Sequence, residues 1–252
     1  MVAGLSAFDW TLLALAGFMV GFAKTAVGGV GSLAVVLFAV VLPARESTGA
    51  LLPLLIAGDL VAVALYRRHG SARELVRLLP GVAPGLLLGA WFVARVDDTA
   101  MTLTIGAVLV VMGAVQIGLR LNRRHQDLPE PPAVHPVWTA AIGAVAGFAT
   151  MTANAAGPVM ALYLIMAGLP MLRILGTGAW FFLVVNLLKV PLSTSLDLIS
   201  RSSLLLDACL IPAMLLGAFA GARIVRGWHQ RQFELATLAM SIVAAGLLIA
   251  SA

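Results

Sequence analysis

Apolar residues run along most of this chain in long blocks, and short polar connectors separate the blocks. A helix needs about 20 mostly apolar residues to cross a bilayer. The pattern therefore predicts an all-α polytopic membrane protein with about ten apolar segments. The segments are Phe8–Ala23, Val30–Leu42, Gly49–Tyr66, Leu75–Ala94, Met101–Leu119, Val137–Ala149, Ala156–Leu169, Ile174–Val190, Leu204–Ala222 and Phe233–Ala250.

The early segments in each half of the chain are short or broken. Neither Phe8–Ala23 nor Val30–Leu42 is a comfortable membrane span, and Val137–Ala149 is equally short. Each pair of segments forms either a hairpin that enters and leaves the membrane on one side or two thin, tilted spans. We favour the hairpin, whose tips would be Lys24–Gly31 and Thr150–Gly157.

The two halves of the sequence resemble each other. LLGAWFVAR at Leu87–Arg95 matches LLGAFAGAR at Leu215–Arg223, at an offset of 128 residues. GFMVGFA at Gly17–Ala23 shares its glycines and its final Gly-Phe-Ala with GAVAGFA at Gly143–Ala149, at an offset of 126 residues. These matches predict an internal duplication.

A polar linker separates the two copies. Residues 120–136, RLNRRHQDLPEPPAVHP, combine proline with charge and cannot form a span. The predicted units are a first membrane repeat, 1–119, and a second membrane repeat, 137–252. Each holds five apolar segments, and because five is odd, the second repeat is inverted relative to the first. Most connector Lys and Arg fall on the inner side when both termini are outside the cell.

Composition narrows the class of protein further. The chain is 61% hydrophobic and 11% charged, with a mean hydropathy of +1.03, whereas soluble domains are about 45–50% apolar and about 25% charged. The net charge of +5 lies largely in connectors, so no nucleic-acid partner is expected. Cys209 is the one cysteine and the four histidines lie in connectors. We therefore expect neither a metal nor another cofactor.

Lys24 lies in the first break, between two apolar runs. A lysine at the bilayer centre costs about 2.5–3.5 kcal/mol on insertion scales, and such residues mark functional sites. A glycine-rich helix start beside a lysine favours anions. The alternative is a lysine that reaches the membrane interface from a plain loop. The predicted substrate-binding residues of this break are Lys24, Thr25, Gly28, Gly29, Gly31 and Ser32.

The second break offers neutral groups instead of charge. Thr152, Asn154 and Gly157 are its predicted substrate-binding residues, with Thr152 donating a hydroxyl. Asn154 is also expected to cap the following helix. The alternative is an ordinary helix cap without a ligand.

Two further polar positions lie within predicted spans. Asp59 is deep in Gly49–Tyr66, and Asn186, predicted to bind substrate, holds its position in the second half at an offset of 127 residues. A buried acid must be paired or protonated, so Asp59 is either a partner for Lys24 or a proton-coupling group. Lys189, one turn from Asn186, is either a lysine at the interface or part of the substrate site.

These stretches resemble a known family. GFAKTAVGGVGSLAVVLFAVVLP, ALLPLLIAGDLVAVALYRR, ANAAGPVMALYL and GTGAWFFLVVNLLKVPL are similar to the TauE/SafE family of sulfite and organosulfur exporters, over Gly17–Arg223. The resemblance implies an inverted, duplicated membrane fold and export of sulfite or related C2 sulfonates, and it allows a homodimer. Val30 interrupts a glycine run that is longer in many members. Family motif positions are occupied by Lys24, Gly28, Gly29, Gly31, Asp59, Asn154, Gly157, Pro158, Asn186 and Lys189.

The sequence thus predicts a secondary transporter of the cytoplasmic membrane that exports a small sulfur-containing anion by alternating access. An anion channel is the main alternative, and a transporter or importer of a different small anion is another. An enzyme is not expected, because the sequence has no nucleophile or metal motif.

Overall fold

The computed structural model describes residues 4–26, 30–123, 136–229, 231–232 and 235–236. Its elements are helices joined by short connectors, as the apolar blocks predict. A 3₁₀ turn, Arg67–His69, extends α4. The helices are α1 (Ala7–Thr25), α2 (Gly31–Val41), α3 (Ala44–Ala50), α4 (Leu52–Tyr66), α5 (Ala72–Val93), α6 (Asp98–Arg123), α7 (Pro136–Ala153), α8 (Ala156–Met166), α9 (Met171–Ser195) and α10 (Arg201–Val225).

Several helical stretches are long and apolar enough to cross a membrane, which confirms the polytopic prediction. They are α1, the stretch Ala44–His69 that joins α3, α4 and the 3₁₀ turn, α5, α9 and α10. Pro53, at the start of α4, marks the junction between α3 and α4. The helices α2 and α8 have 11 residues each, too few to cross alone.

The prediction that the run before Lys24 is not a comfortable span is wrong, because α1 has 19 residues. Its start is fixed by a capping box in which the Ser6 hydroxyl accepts from the Asp9 backbone N–H and the Asp9 carboxylate accepts from the Ser6 N–H. Its end passes through Lys24 to Thr25. Similarly, α7 has 18 residues and extends beyond both ends of the predicted segment Val137–Ala149.

Two predicted regions lie largely beyond the described residues. The helix α6 continues to Arg123, into the predicted linker 120–136, and α7 begins at Pro136. Positions 124–135 between them fall outside the described residues, as does most of the segment Phe233–Ala250.

Glycines bring two pairs of helices into close contact. A Cβ at Gly21 of α1 would overlap the Met214 backbone carbonyl of α10, and a Cβ at Gly147 of α7 would overlap the Val82 carbonyl of α5. Such close approach is the usual role of small residues between membrane helices. Contacts advance in the same direction along both partners, so α1 runs parallel to α10 and α5 runs parallel to α7. The helices α4 and α9 pack against each other, α4 also packs against α1 and α10, and α9 also packs against α5.

Candidate functional site

The chain is broken between α1 and α2 and again between α7 and α8, and we call these joints the first and the second break. A cavity of about 90 Å³ lies where the two breaks meet α4 and α9. Residues from the end of α1 and the start of α2 form one wall, and the joint between α7 and α8 forms another. Much of the remaining wall is apolar. The predicted site residues that line the cavity are Lys24, Gly31, Ser32, Asn154, Gly157, Asn186 and Asp59.

Lys24 supplies the positive charge of this cavity. It lies in the last turn of α1, where the helix dipole favours a cation. Its Nζ is 2.7 Å from Oδ1 of Asp59 and 4.5 Å from the centre of the Phe182 ring. Only 11% of the Lys24 side chain is exposed. The lysine therefore turns inward to a paired acid and does not extend from a plain surface loop.

Asp59 connects the two halves of the molecule. Its side chain is fully buried, and its second oxygen, Oδ2, accepts a hydrogen bond of 2.6 Å from Nδ2 of Asn186. The contact joins α4 to α9 at the two positions that the offset of 127 residues relates. Within the described residues, the buried Oδ1 of Asn186 has no hydrogen-bond partner.

Lys189 holds the second break together. Its Nζ donates to the Thr150 backbone carbonyl over 2.8 Å and also to Oδ1 of Asn154. Nδ2 of Asn154 in turn donates to the Thr48 carbonyl over 2.9 Å. Because Lys189 is only 1% exposed, its interpretation as an interface lysine is wrong. Its ammonium group is used by the joint and is not part of the cavity wall.

Both short helices begin at the cavity without a side-chain cap. The N-cap residues are Val30 for α2 and Ala155 for α8. The expected capping by Asn154 is therefore wrong: this residue adopts a left-handed φ of 48° and bonds to Lys189 instead. The first N–H groups of a helix lack partners within that helix and carry partial positive charge. Two helix N-termini and one lysine thus favour a small anion.

The sequence matches the family described as sulfite exporter TauE/SafE over residues 13–248. The chain belongs to the TauE/SafE family. No curated protein matches the chain, and no solved structure does. Membership confirms the family resemblance, and it identifies the chain as a member of a membrane transporter family.

Among the described residues of this TauE/SafE chain, two further predicted substrate-binding residues, Thr25 and Thr152, do not line the cavity. Thr25 and Thr152 are fully buried, and their hydroxyls donate to backbone carbonyls. Thr25 bonds to Ala218 of α10 over 2.9 Å. Gly28 and Gly29 lie outside the described residues.

Sequence reasoning passed over one aromatic neighbour of Lys24. Phe182 lines the cavity and lies four residues before Asn186 on α9, so the two share one helix face. That spacing would have placed Phe182 beside the site. Among the described residues, no group of three or more His, Cys, Asp or Glu side chains could hold a metal ion.

Proposed function

We propose that this TauE/SafE protein exports sulfite or a related small sulfur-containing anion across the cytoplasmic membrane, and that the cavity is its binding site. The observation that carries the proposal is the convergence of Lys24 with the uncapped N-termini of α2 and α8 on one cavity. Lys24 supplies charge, and first-turn N–H groups supply directional donors to the oxygens of the anion. No chemical change in the anion is required.

Asp59 controls the charge that an anion meets. In the structure the Asp59 carboxylate pairs with the Lys24 ammonium group, so a bound anion competes with this carboxylate for the same ammonium group. Asn186 holds the other carboxylate oxygen and keeps Asp59 in place when Lys24 turns to the substrate. The pair thereby stabilises a buried lysine while the cavity is empty. A membrane potential that is negative inside contributes about 2.3 kcal/mol per charge per 100 mV to anion exit.

An inverted repeat accounts for the helix pairing. If the halves 1–119 and 137–252 are related by a two-fold axis in the membrane plane, α1 corresponds to α7 and α5 to α10. The parallel pair α1–α10 then maps onto α7–α5, and these two helices are the other closely packed parallel pair. A residue on such an axis meets its own counterpart, and the bond between Asp59 and Asn186 has this property.

Alternating access follows from this symmetry. Rocking of one half against the other would open the central cavity first to one side and then to the other. The positive-inside distribution of Lys and Arg supports an orientation with both termini outside. A homodimer remains a prediction from the family resemblance.

Flux into sealed proteoliposomes tests the proposal. Purified protein is reconstituted and tested with sulfite, sulfate, sulfoacetate and chloride, with product analysis of the transported anion. We expect sulfite or sulfoacetate to move unchanged, to saturate, and to show counterflow, the transient uptake of label against a trapped unlabelled pool. Linear flux without counterflow would favour a channel. Absence of flux for all four anions would overturn the proposal.

A further inference from the structure

A second buried acid lies away from the cavity. Asp207 is 4% exposed and occupies α10 about 9 Å from the start of that helix, at 1.5 Å per residue. Neither of its carboxyl oxygens has a hydrogen-bond partner within the described part of the chain. Its counterpart in the first half, at an offset of 128 residues, is the apolar Leu79. Asp207 does not line the cavity.

Within the described part of the chain, no charged side chain pairs with Asp207. The helices α1, α3 and α4 pack against α10. The backbone N–H of Leu54, in the first turn of α4, faces the carboxyl group. Among the described residues, none of the titratable side chains on these helices or on α10 forms an ion pair with Asp207; they are Asp9, Lys24, Arg45, Glu46, Asp59, Tyr66, Arg201, Cys209 and Arg223.

Another buried acid in the same fold shows what a satisfied carboxyl group looks like. Glu74 of α5 accepts a hydrogen bond of 2.6 Å from the Tyr163 hydroxyl, and its other oxygen lies 3.5 Å from Arg77. Asp207 has no comparable partners among the residues that the structure describes. Because an unpaired carboxylate inside a membrane protein is costly, the position requires a proton, water or a conformational change to accommodate its charge.

We propose that Asp207 is a proton-binding site of the transport cycle, separate from the anion cavity. On one side of the membrane it takes a proton from water and becomes a neutral acid, and on the other side it returns that proton to water. The proposal rests on the proposed transport function. It requires no further reactant.

The fold offers a route from this proton to the anion site. The N-terminus of α4 faces Asp207, and the same helix bears Asp59, which pairs with Lys24 at the cavity. An ionised Asp207 is attracted to the α4 N-terminus, whereas a neutral Asp207 is not. Loss of the proton therefore favours an arrangement with α4 drawn toward α10, which moves Asp59 relative to the cavity. This two-state element couples the two sites.

A purely structural role is the competing explanation. In that case Asp207 simply accepts a hydrogen bond at the start of α4. Asp207→Asn separates the two, because an amide oxygen can face the Leu54 N–H as the carboxyl group does, but the side chain cannot bind an acidic proton. Asp97→Asn is the matched control, since Asp97 is an exposed acid in a connector.

Infrared titration of the purified protein tests proton binding without any transported anion. We expect the wild type and Asp97→Asn to show the C=O band of a protonated carboxylic acid near neutral pH. In Asp207→Asn the intensity of this band should be lower by the contribution of one carboxylic acid. An identical band in wild type and Asp207→Asn would overturn the proposal.

A flux assay tests whether the proton belongs to the transport cycle. Sulfoacetate is the anion, because it does not titrate near neutral pH, and a trapped pH dye reports protons. In Asp207→Asn, the proton movement that a sulfoacetate gradient drives should be at least about 10-fold slower than in the wild type. Counterflow of sulfoacetate should stay within about twofold of wild type. Coupled proton movement at the wild-type level in Asp207→Asn would overturn the proposal, whereas absence of counterflow in the wild type with every anion would instead count against the transport function.

Discussion

The two helix breaks use a lysine in opposite ways. At the first break the lysine belongs to the broken segment itself, and Asp59 of α4 pairs with it. At the second break the joint is neutral, and the lysine comes from a different helix, as Lys189 of α9. Lys24 lines the cavity, whereas the ammonium group of Lys189 is bonded to the joint. One break is therefore suited to binding charge and the other to holding shape.

This difference shows that the two halves of the chain satisfy a buried lysine in different ways. A buried cation costs free energy unless it has partners. The first half satisfies its cation with the Asp59 carboxylate, which under the proposed function gives way to the substrate anion. The second half satisfies its cation with the Thr150 carbonyl and the Asn154 side chain, which are fixed parts of the joint. The two breaks thus use their lysines for different chemistry.

Breaking the first lysine pair should have the largest effect on stability. Lys24→Met and Asp59→Leu should each lower the free energy of unfolding by about 3–5 kcal/mol, because each leaves a buried charge without its partner. The double variant should recover most of this loss. Thermal unfolding in detergent measures all three. Arg77→Gln, which removes the half-exposed partner of Glu74, is the control and should change stability by about 1 kcal/mol or less. Single variants as stable as this control would contradict the assigned pair.

Removing the second lysine should have an intermediate effect. Lys189→Met should lower the free energy of unfolding by about 2–3 kcal/mol, because charge-assisted bonds to Thr150 and Asn154 are lost. Counterflow should fall but persist, since the cavity keeps Lys24. Arg173→Met, an exposed basic residue at the start of α9, controls for loss of charge on that helix. Complete loss of counterflow in a folded Lys189→Met variant would show that both lysines serve the substrate.

The two buried threonines should give the smallest effects and should differ from each other. Thr25→Val removes a hydrogen bond between α1 and α10 and should cost about 1 kcal/mol. Thr152→Val removes only a bond to Phe148 within α7 and should cost about 0.5 kcal/mol or less. Thermal unfolding of the two variants side by side measures the difference. Loss of counterflow in either folded variant would return that hydroxyl to the substrate site.

The apolar blocks and the breaks between them were predictable because membrane helices need long uncharged runs. The inward lysine and its acid were also foreseen as alternatives, since buried charges need partners. The burial of Lys189 was not, because it lies near the end of the predicted segment Ile174–Val190. The helix α9 continues to Ser195 and places Lys189 well inside. Hydropathy marks apolar runs, but it does not show where a helix continues through polar residues.

Two other positions, Asn154 and Asp207, were also not understood from the sequence, because the surrounding fold decides their role. Asn154 has the residue type of a helix cap, but a left-handed backbone turns its side chain to Lys189, a partner 35 residues away in the sequence. Asp207 lies inside the apolar segment Leu204–Ala222, where hydropathy averaged over a window conceals a single acid. A long-range partner decides the position of Asn154, and burial between helices decides that of Asp207. Local patterns reveal neither.

The central claim is that Lys24 binds the transported anion, and counterflow in proteoliposomes with Lys24→Gln tests it most directly. We expect counterflow of the best-transported anion to fall about 100-fold, the scale of losing one charge-assisted contact. Arg95→Gln, which removes an exposed arginine beside Trp91, should behave like wild type. Counterflow by folded Lys24→Gln within about twofold of wild type would contradict the account.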